Sequence, residues 1–254
     1  YRTEFDVPQF QAGKRATILF DGAMSHANVY INGQKVGYWP YGYNSFHFDI
    51  TKYLKPGEKN TLAVRLENLP ESSRWYPGAG LYRNVHLIVT EDAYIPVWGT
   101  YITTPSVNEK FAKVNVLTKV VLPEGADPAK YSVETSVWNP NKQKLTAVRT
   151  SLAQMKYNND QAEQEFVIQD PSLWSPEMPA LYSAETRLYE GDKLKDVYTT
   201  PFGIRSIEII PDKGFFLNGK RTVFKGVCNH HDLGPLGAAV NDAAIRRQIR
   251  IMKD

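Results

Sequence analysis

Apolar and polar residues alternate along most of this chain with a period of two, the signature of strands half-buried in a sheet. Asn60 Thr61 Leu62 Ala63 Val64 Arg65 Leu66 shows the pattern plainly. Up to about Val89 the alternation predicts short strands at Arg2–Val7, Ala16–Phe20, Ala27–Ile31, Gln34–Gly37, Phe46–Ile50, Asn60–Leu66 and Leu81–Val89. Asn32-Gly33, set between two such runs, is a hairpin signal because both turn positions call for positive φ. Many strands with no helical period predict a sandwich or jelly roll.

Ile95 to Thr100 reads as the crossing into a second domain. Strand patterns follow at Val114–Val121, Tyr131–Trp138, Leu145–Leu152, Gln164–Ile168 and Tyr182–Tyr189, with Pro-, Asn- and Gly-rich turns between them. That spacing over roughly a hundred residues predicts an immunoglobulin-like sandwich. Phe202-Gly203-Ile204-Arg205 closes it. Ser206–Ile210, Phe215–Leu217, a second Asn-Gly pair at Asn218-Gly219, and Arg221–Phe224 come next.

The period changes near the end. Phe224 to Val227 reads as a buried strand, and after a Gly/Pro loop Ile245, Ile249 and Met252 fall at i, i+4 and i+7 of an amphipathic helix, with Asn241 or Asp242 as its N-cap. A helix with one apolar stripe needs a sheet beneath it, and one strand is too little sheet. The expectation is a domain that the chain only begins. The three expected domains are residues 1–94, 95–205 and 206–254.

Composition narrows the partner classes. Charged residues make up 22% and the formal net charge is +3, with no Lys/Arg block, which argues against nucleic acid as a partner. The apolar runs are strand-sized, which argues against a transmembrane helix. The opening at Tyr1, with neither Met nor a signal-peptide pattern, is read as a processing or cloning boundary. Aromatics at 12% suit sandwich cores and sugar-stacking surfaces alike.

Asn229 His230 His231 Asp232 is the foremost candidate site. In an α/β barrel, functional side chains stand at the carboxyl ends of strands, where His230 and Asp232 fall; the alternative is a loop whose polar groups cap one another. Adjacent residues diverge, so no metal site is expected there. Cys228, the one cysteine, ends an apolar strand and reads as a buried, inert thiol. Arg74, in the loop running to Gly80, has a planar donor fork suited to a sugar or a carboxylate, although an ordinary aromatic corner is the preferred reading there. The run Tyr38 Trp39 Pro40 Tyr41 Gly42 Tyr43 is either a sugar-stacking surface or a packed edge. Glycoside hydrolysis calls for two carboxylates flanking the bond, and no pair stands out.

Several stretches in order resemble glycoside hydrolase family 2, the group of β-galactosidases, β-glucuronidases and β-mannosidases. They are Tyr1–Phe5, Val29–Gly33, Phe48–Thr51, Asn60–Val64, Arg74–Val85, Leu173-Trp174-Ser175-Pro176, Phe202–Arg205 and Leu217-Asn218-Gly219-Lys220 onward. The resemblance implies a mostly β chain: a jelly-roll sugar-binding domain with its start truncated, an immunoglobulin-like β-sandwich, then the first strand–helix unit of a truncated (β/α)8 TIM barrel. It implies a retaining exo-acting β-glycosidase, a β-galactosidase above the other two, with a carbohydrate substrate and no cofactor. Both catalytic glutamates would fall after Asp254, so this chain would hold no catalytic residue and be inactive alone.

The family's substrate-contacting histidine matches His230, with Asn229, Asp232 and Arg74 as further substrate-binding candidates. Family β-galactosidases often read Gly-Val-Asn-Arg-His-Glu where this chain has Gly226 to Asp232, and often carry an aspartate where Arg74 stands, so no sodium site carries over. A secreted or periplasmic location fits the resemblance, and homo-oligomers are left open. The competing reading is a carbohydrate-binding or assembly module whose parent has lost its chemistry.

Overall fold

The computed structural model of the chain describes residues 1–7, 13–72, 78–154, 160–230, 233–239 and 241–254. It divides into two compact units, Tyr1–Thr90 with Val227–Asp254, and Glu91–Gly226.

The first unit contains β1 (Arg2–Asp6), β2 (Arg15–Phe20), β3 (Ala27–Ile31), β4 (Gln34–Trp39), β5 (Phe46–Asp49), β6 (Lys59–Arg65) and β7 (Val85–Thr90). They form two antiparallel sheets ordered β1-β6-β3-β4 and β5-β2-β7. The alternation in sequence becomes alternation in burial: Ala16, Ile18 and Phe20 of β2 are buried, whereas the residues between them are not. One core draws on both sheets, with Val29, Ile31, Leu62 and Val64 from the first and Ile18, Phe20 and Phe46 from the second. Phe20 and Phe46 stack with centroids 4.8 Å apart, and Trp39 stacks on Phe46 at 5.6 Å. Such ring pairs add about 0.5–1.5 kcal/mol each beyond the area they bury.

Asn32 and Gly33 take φ of 51° and 80°, as a primed hairpin turn requires. The Asn32 side chain does more than tolerate the turn. Its Nδ2 donates to Tyr53 O at 2.9 Å and to Asn60 Oδ1 at 2.8 Å, and its Oδ1 accepts from Thr61 N at 2.9 Å. Asn60 is fully buried, and it also accepts from Lys55 N at 2.8 Å and donates to Lys55 O at 3.0 Å and Glu58 O at 2.9 Å. All four of its hydrogen-bonding positions are used. The expected strand Leu81–Val89 starts only at Val85; before it Tyr82 is buried and its hydroxyl donates to Gly42 O at 2.8 Å.

The second unit holds β8 (Thr100–Val107), β9 (Phe111–Lys119), β10 (Tyr131–Trp138), β11 (Lys144–Ser151), β12 (Gln161–Gln169), β13 (Tyr182–Glu190) and β14 (Lys193–Phe202). A meander of β15 (Ile207–Ile210), β16 (Gly214–Leu217) and β17 (Lys220–Arg221) follows. The sheets are ordered β11-β10-β13-β14, β12-β9-β8 and β15-β16-β17. Four strands and three around a core of Val114, Val116, Val137, Phe166 and Ala184 make an immunoglobulin-like sandwich. Gln164, buried on β12, reaches from the three-stranded sheet to the other: its Nε2 lies 3.1 Å from Val133 O, 2.8 Å from Val148 O and 3.1 Å from Thr150 Oγ1.

The barrel strand expected after the meander is not formed among the described residues. Pairing ends at Arg221, and Val223, Phe224 and Val227 are 67%, 75% and 73% exposed. A barrel strand takes ladder bonds from neighbours on both sides, and no described strand supplies them. Cys228, expected buried, is exposed for the same reason. The helix does form, as α1 (Asp242–Lys253), with Asn241 Oδ1 accepting from Ala244 N at 3.1 Å as N-cap. Its apolar stripe is only partly covered: Ile245 is half-buried, whereas Ile249 and Met252 are each 53% exposed.

Replacing Asn60 with alanine strands Lys55 N and removes one of the three hydrogen bonds of the Asn32 side chain. The first unit should lose about 2 kcal/mol in denaturant unfolding followed by a probe confined to it, and a loss within a few tenths of wild type would refute this account.

Candidate functional site

Asn229 and His230 are both exposed, on the strandless segment after Val227. Asp232 and His231 lie outside the described residues, and so does Arg74 with its neighbours Trp75 and Tyr76. Of the four sequence candidates the structure places two, Asn229 and His230, which are neighbours in the chain. Among the described residues, no group of three or more His, Cys, Asp or Glu side chains could hold a metal.

The aromatic run divides between core and surface. Trp39 turns inward onto Phe46, whereas Tyr38 and Tyr41 are 45% and 53% exposed. Tyr38 OH lies 2.6 Å from His26 Nδ1, and Tyr41 meets Tyr43 edge-on at 5.5 Å. The sequence reading missed His26, whose only signal was its place just before β3. Two outward rings, one fixed by an imidazole, are chemically apt for stacking on a sugar face.

The motif residues of the second unit converge for a different reason. Trp174 N donates to Ile204 O at 2.8 Å, and the Arg205 guanidinium lies 4.9 Å from the Trp174 ring centroid. A Cβ on Gly203 would stand 3.1 Å from Trp174 Cβ. Asn218, from the second Asn-Gly turn, donates through Nδ2 to Trp174 O and accepts at Oδ1 from Ser206 N, each at 3.0 Å. Leu173–Pro176, Phe202–Arg205 and Leu217–Gly219 thus form one knot that fastens the meander to the sandwich. A cleft of about 420 Å³ beside it is lined by Ile102, Thr104, Phe202, Gly203, Arg205 and Ile207.

The perturbed titrating groups also serve structure. Lys195 is nearly buried and bridges Asp92 at 2.9 Å and Glu190 at 3.4 Å, and Tyr131 OH donates to Glu190 at 3.3 Å. The Lys195 hydrogen bond holds the Asp92 carboxyl below its ordinary value, and the same bond raises the Lys195 ammonium. Burial raises Tyr131, Tyr82 and the Asp196 carboxyl, the last against two backbone N–H donors. None of these is a carboxylate pair flanking a cleft.

Comparison with known proteins gives this scaffold its relatives. Residues 1–91 match the model of the glycosyl hydrolases family 2 sugar binding domain, and residues 94–205 match that of glycosyl hydrolases family 2. The chain belongs to glycosyl hydrolase family 2. A β-galactosidase of Bacteroides ovatus, BoGH2A, is 42% identical over 255 residues, covering 100% of this chain and 30% of its own length. A β-glucuronidase of Bacteroides fragilis is 34% identical, covering 95% of this chain and 36% of its own. The crystal structure of a family 2 member from Bacteroides cellulosilyticus superimposes with a TM-score of 0.90 at 34% identity, covering 99% of this chain and 32% of that one. The chain thus spans about a third of the length of these relatives.

The Asp92–Lys195 pair sets a pH dependence with a definite sign. Asp92, depressed in the folded state, contributes above its ordinary value of 3.8 and is lost as pH falls through its folded value. Lys195, raised, contributes below 10.5 and is lost as pH rises through its folded value. Lys195→Met should therefore cost about 1–2 kcal/mol, steadily between pH 5 and 9, allowing for the partial exposure of Asp92. The gap to wild type should narrow below about pH 4. Equilibrium unfolding across pH checks it, and a gap that widens in acid would contradict the assignment.

Proposed function

We propose that the chain is the N-terminal part of a retaining, exo-acting β-glycosidase that hydrolyses O-glycosidic bonds, with β-galactosides as its substrates. The observation that carries this reading is the 42% identity, along the whole chain, to a β-galactosidase. A β-glucuronidase at 34% identity over 95% of the chain supports the second reading, a uronoside substrate.

On this reading the sandwich of residues 1–94 is a sugar-binding jelly roll, and residues 206–254 begin a (β/α)8 barrel after the immunoglobulin-like domain of 95–205. The exposed Ile249 and Met252 of α1 and the exposed Val223, Phe224 and Val227 support it, because a barrel wall would cover both. The acid/base and nucleophile would be glutamates C-terminal to Asp254. His230, with Asn229 and Asp232, would then sit at the mouth of the barrel's first strand. There it would donate a hydrogen bond to the non-reducing sugar that strengthens as charge develops in the transition state. Arg74 would approach the same sugar from the first domain's loop.

The whole protein, assayed with chromogenic β-galactoside, β-glucuronide and β-mannoside, should turn over the β-galactoside fastest. Failure with all three would end the glycosidase reading in favour of a carbohydrate-binding module. In that protein, His230→Ala should lower kcat/KM for the favoured substrate by about 10²–10³ while leaving the unfolding temperature unchanged. A wild-type kcat/KM would remove His230 from the site. The 254-residue chain alone should show no turnover above a blank.

A further inference from the structure

Between the end of β7 at Thr90 and the start of β8 at Thr100 the chain is bound along its whole length, by different means on its two sides. One side makes backbone bonds to β9 and its continuation. Tyr94 N donates to Val121 O at 3.0 Å, Val121 N to Tyr94 O at 2.8 Å, and Lys119 N to Gly99 O at 2.6 Å. The other side faces β14, and there four contacts are made by β14 side chains. Lys195 Nζ meets Asp92 at 2.9 Å, and Asp196 Oδ2 accepts from Ile95 N at 2.8 Å. Tyr198 OH accepts from Trp98 N at 3.2 Å, and Thr200 Oγ1 lies 2.5 Å from Thr100 Oγ1.

Asp196, Tyr198 and Thr200 alternate along the strand, so they leave one face of it. Ala93 and Ile95, 0% and 3% exposed, enter the core cluster of Val120, Tyr131, Val133, Leu152 and Leu188. The segment therefore fills the side of the sandwich between the β14 sheet and the β9 sheet without joining the β14 ladder.

That asymmetry has an energetic meaning. Ladder bonds within the sandwich open only when strands part, which costs close to the free energy of global unfolding. The segment's bonds to β14 break when a few side chains let go; its opening further requires three backbone bonds on the β9 side to part and two apolar side chains to leave the core. Asp196 is the critical fastening, because without it the Ile95 N–H is buried with no acceptor.

We infer that Asp92–Gly99 is a strap that opens as a unit while the strand ladders stay closed, with Asp196 as its fastening and the Lys195–Asp92 pair as the latch at its start. Hydrogen exchange of the 254-residue chain tests this at single amides. In Asp196→Ala the amide of Ile95 should exchange at least tenfold faster than in wild type, while the amides of Val114 and Val133 keep their wild-type rates. Chymotrypsin cleavage after Trp98, a half-exposed residue in the strap, should accelerate in parallel. An unchanged Ile95 rate would overturn the inference. So would equal acceleration of Ile95, Val114 and Val133, since the strap would then open only with the sandwich. Should Asp196→Ala fail to fold, Lys195→Met and Thr200→Val carry the same comparison, with the smaller change expected for Thr200→Val.

Discussion

A side-chain amide that bridges backbone groups far apart in sequence is the interaction on which both units depend. A sandwich must bring together strand ends and turns whose polar groups have no ladder partners, and burying them unpaired costs about 1–3 kcal/mol apiece. With one cysteine, the chain cannot fasten its sheets with a disulfide. Asn60 gathers the Lys55–Glu58 turn and the hairpin at Asn32 into one network. Gln164 spans the second sandwich, where antibody domains place a cystine. Asn218 joins the meander to Trp174. In the two Asn-Gly turns, asparagine serves twice, tolerating positive φ in its backbone and bridging with its side chain.

This double service explains what could be read from the chain alone. Alternation located β2, β3, β6 and β10 nearly to the residue because one face of each is apolar. It missed β14, whose inward positions are Asp196, Tyr198 and Thr200, polar residues that hold the strap. It also missed β8, where threonines and Pro105 blur the pattern. The segment Val223–Val227 carries strand composition, but composition supplies no neighbour, and a parallel strand without neighbours is not a strand. Turn signals were legible as conformation; the partners of Asn32, Asn60 and Asn218 were not, because those contacts join residues far apart in sequence.

The candidate site was legible in a narrower sense. His230 was singled out by its place after an apolar run and by family likeness, and the structure adds only that it is exposed. The motifs around Trp174 and Phe202–Arg205, which helped to identify the family, turn out to build a joint between the sandwich and the meander. In this chain those residues seat the meander on the sandwich.

The strap bears on how much chain stands between β7 and the ladders of the second unit. With Asp92 latched, one residue, Glu91, separates the end of β7 from a fixed point on the second unit. With the strap open as far as Thr100, nine residues do, enough to extend about 30 Å. On the inferred opening, four side-chain contacts and three backbone bonds together hold that stretch closed in a covalently unchanged chain, and its free length becomes a thermodynamic quantity.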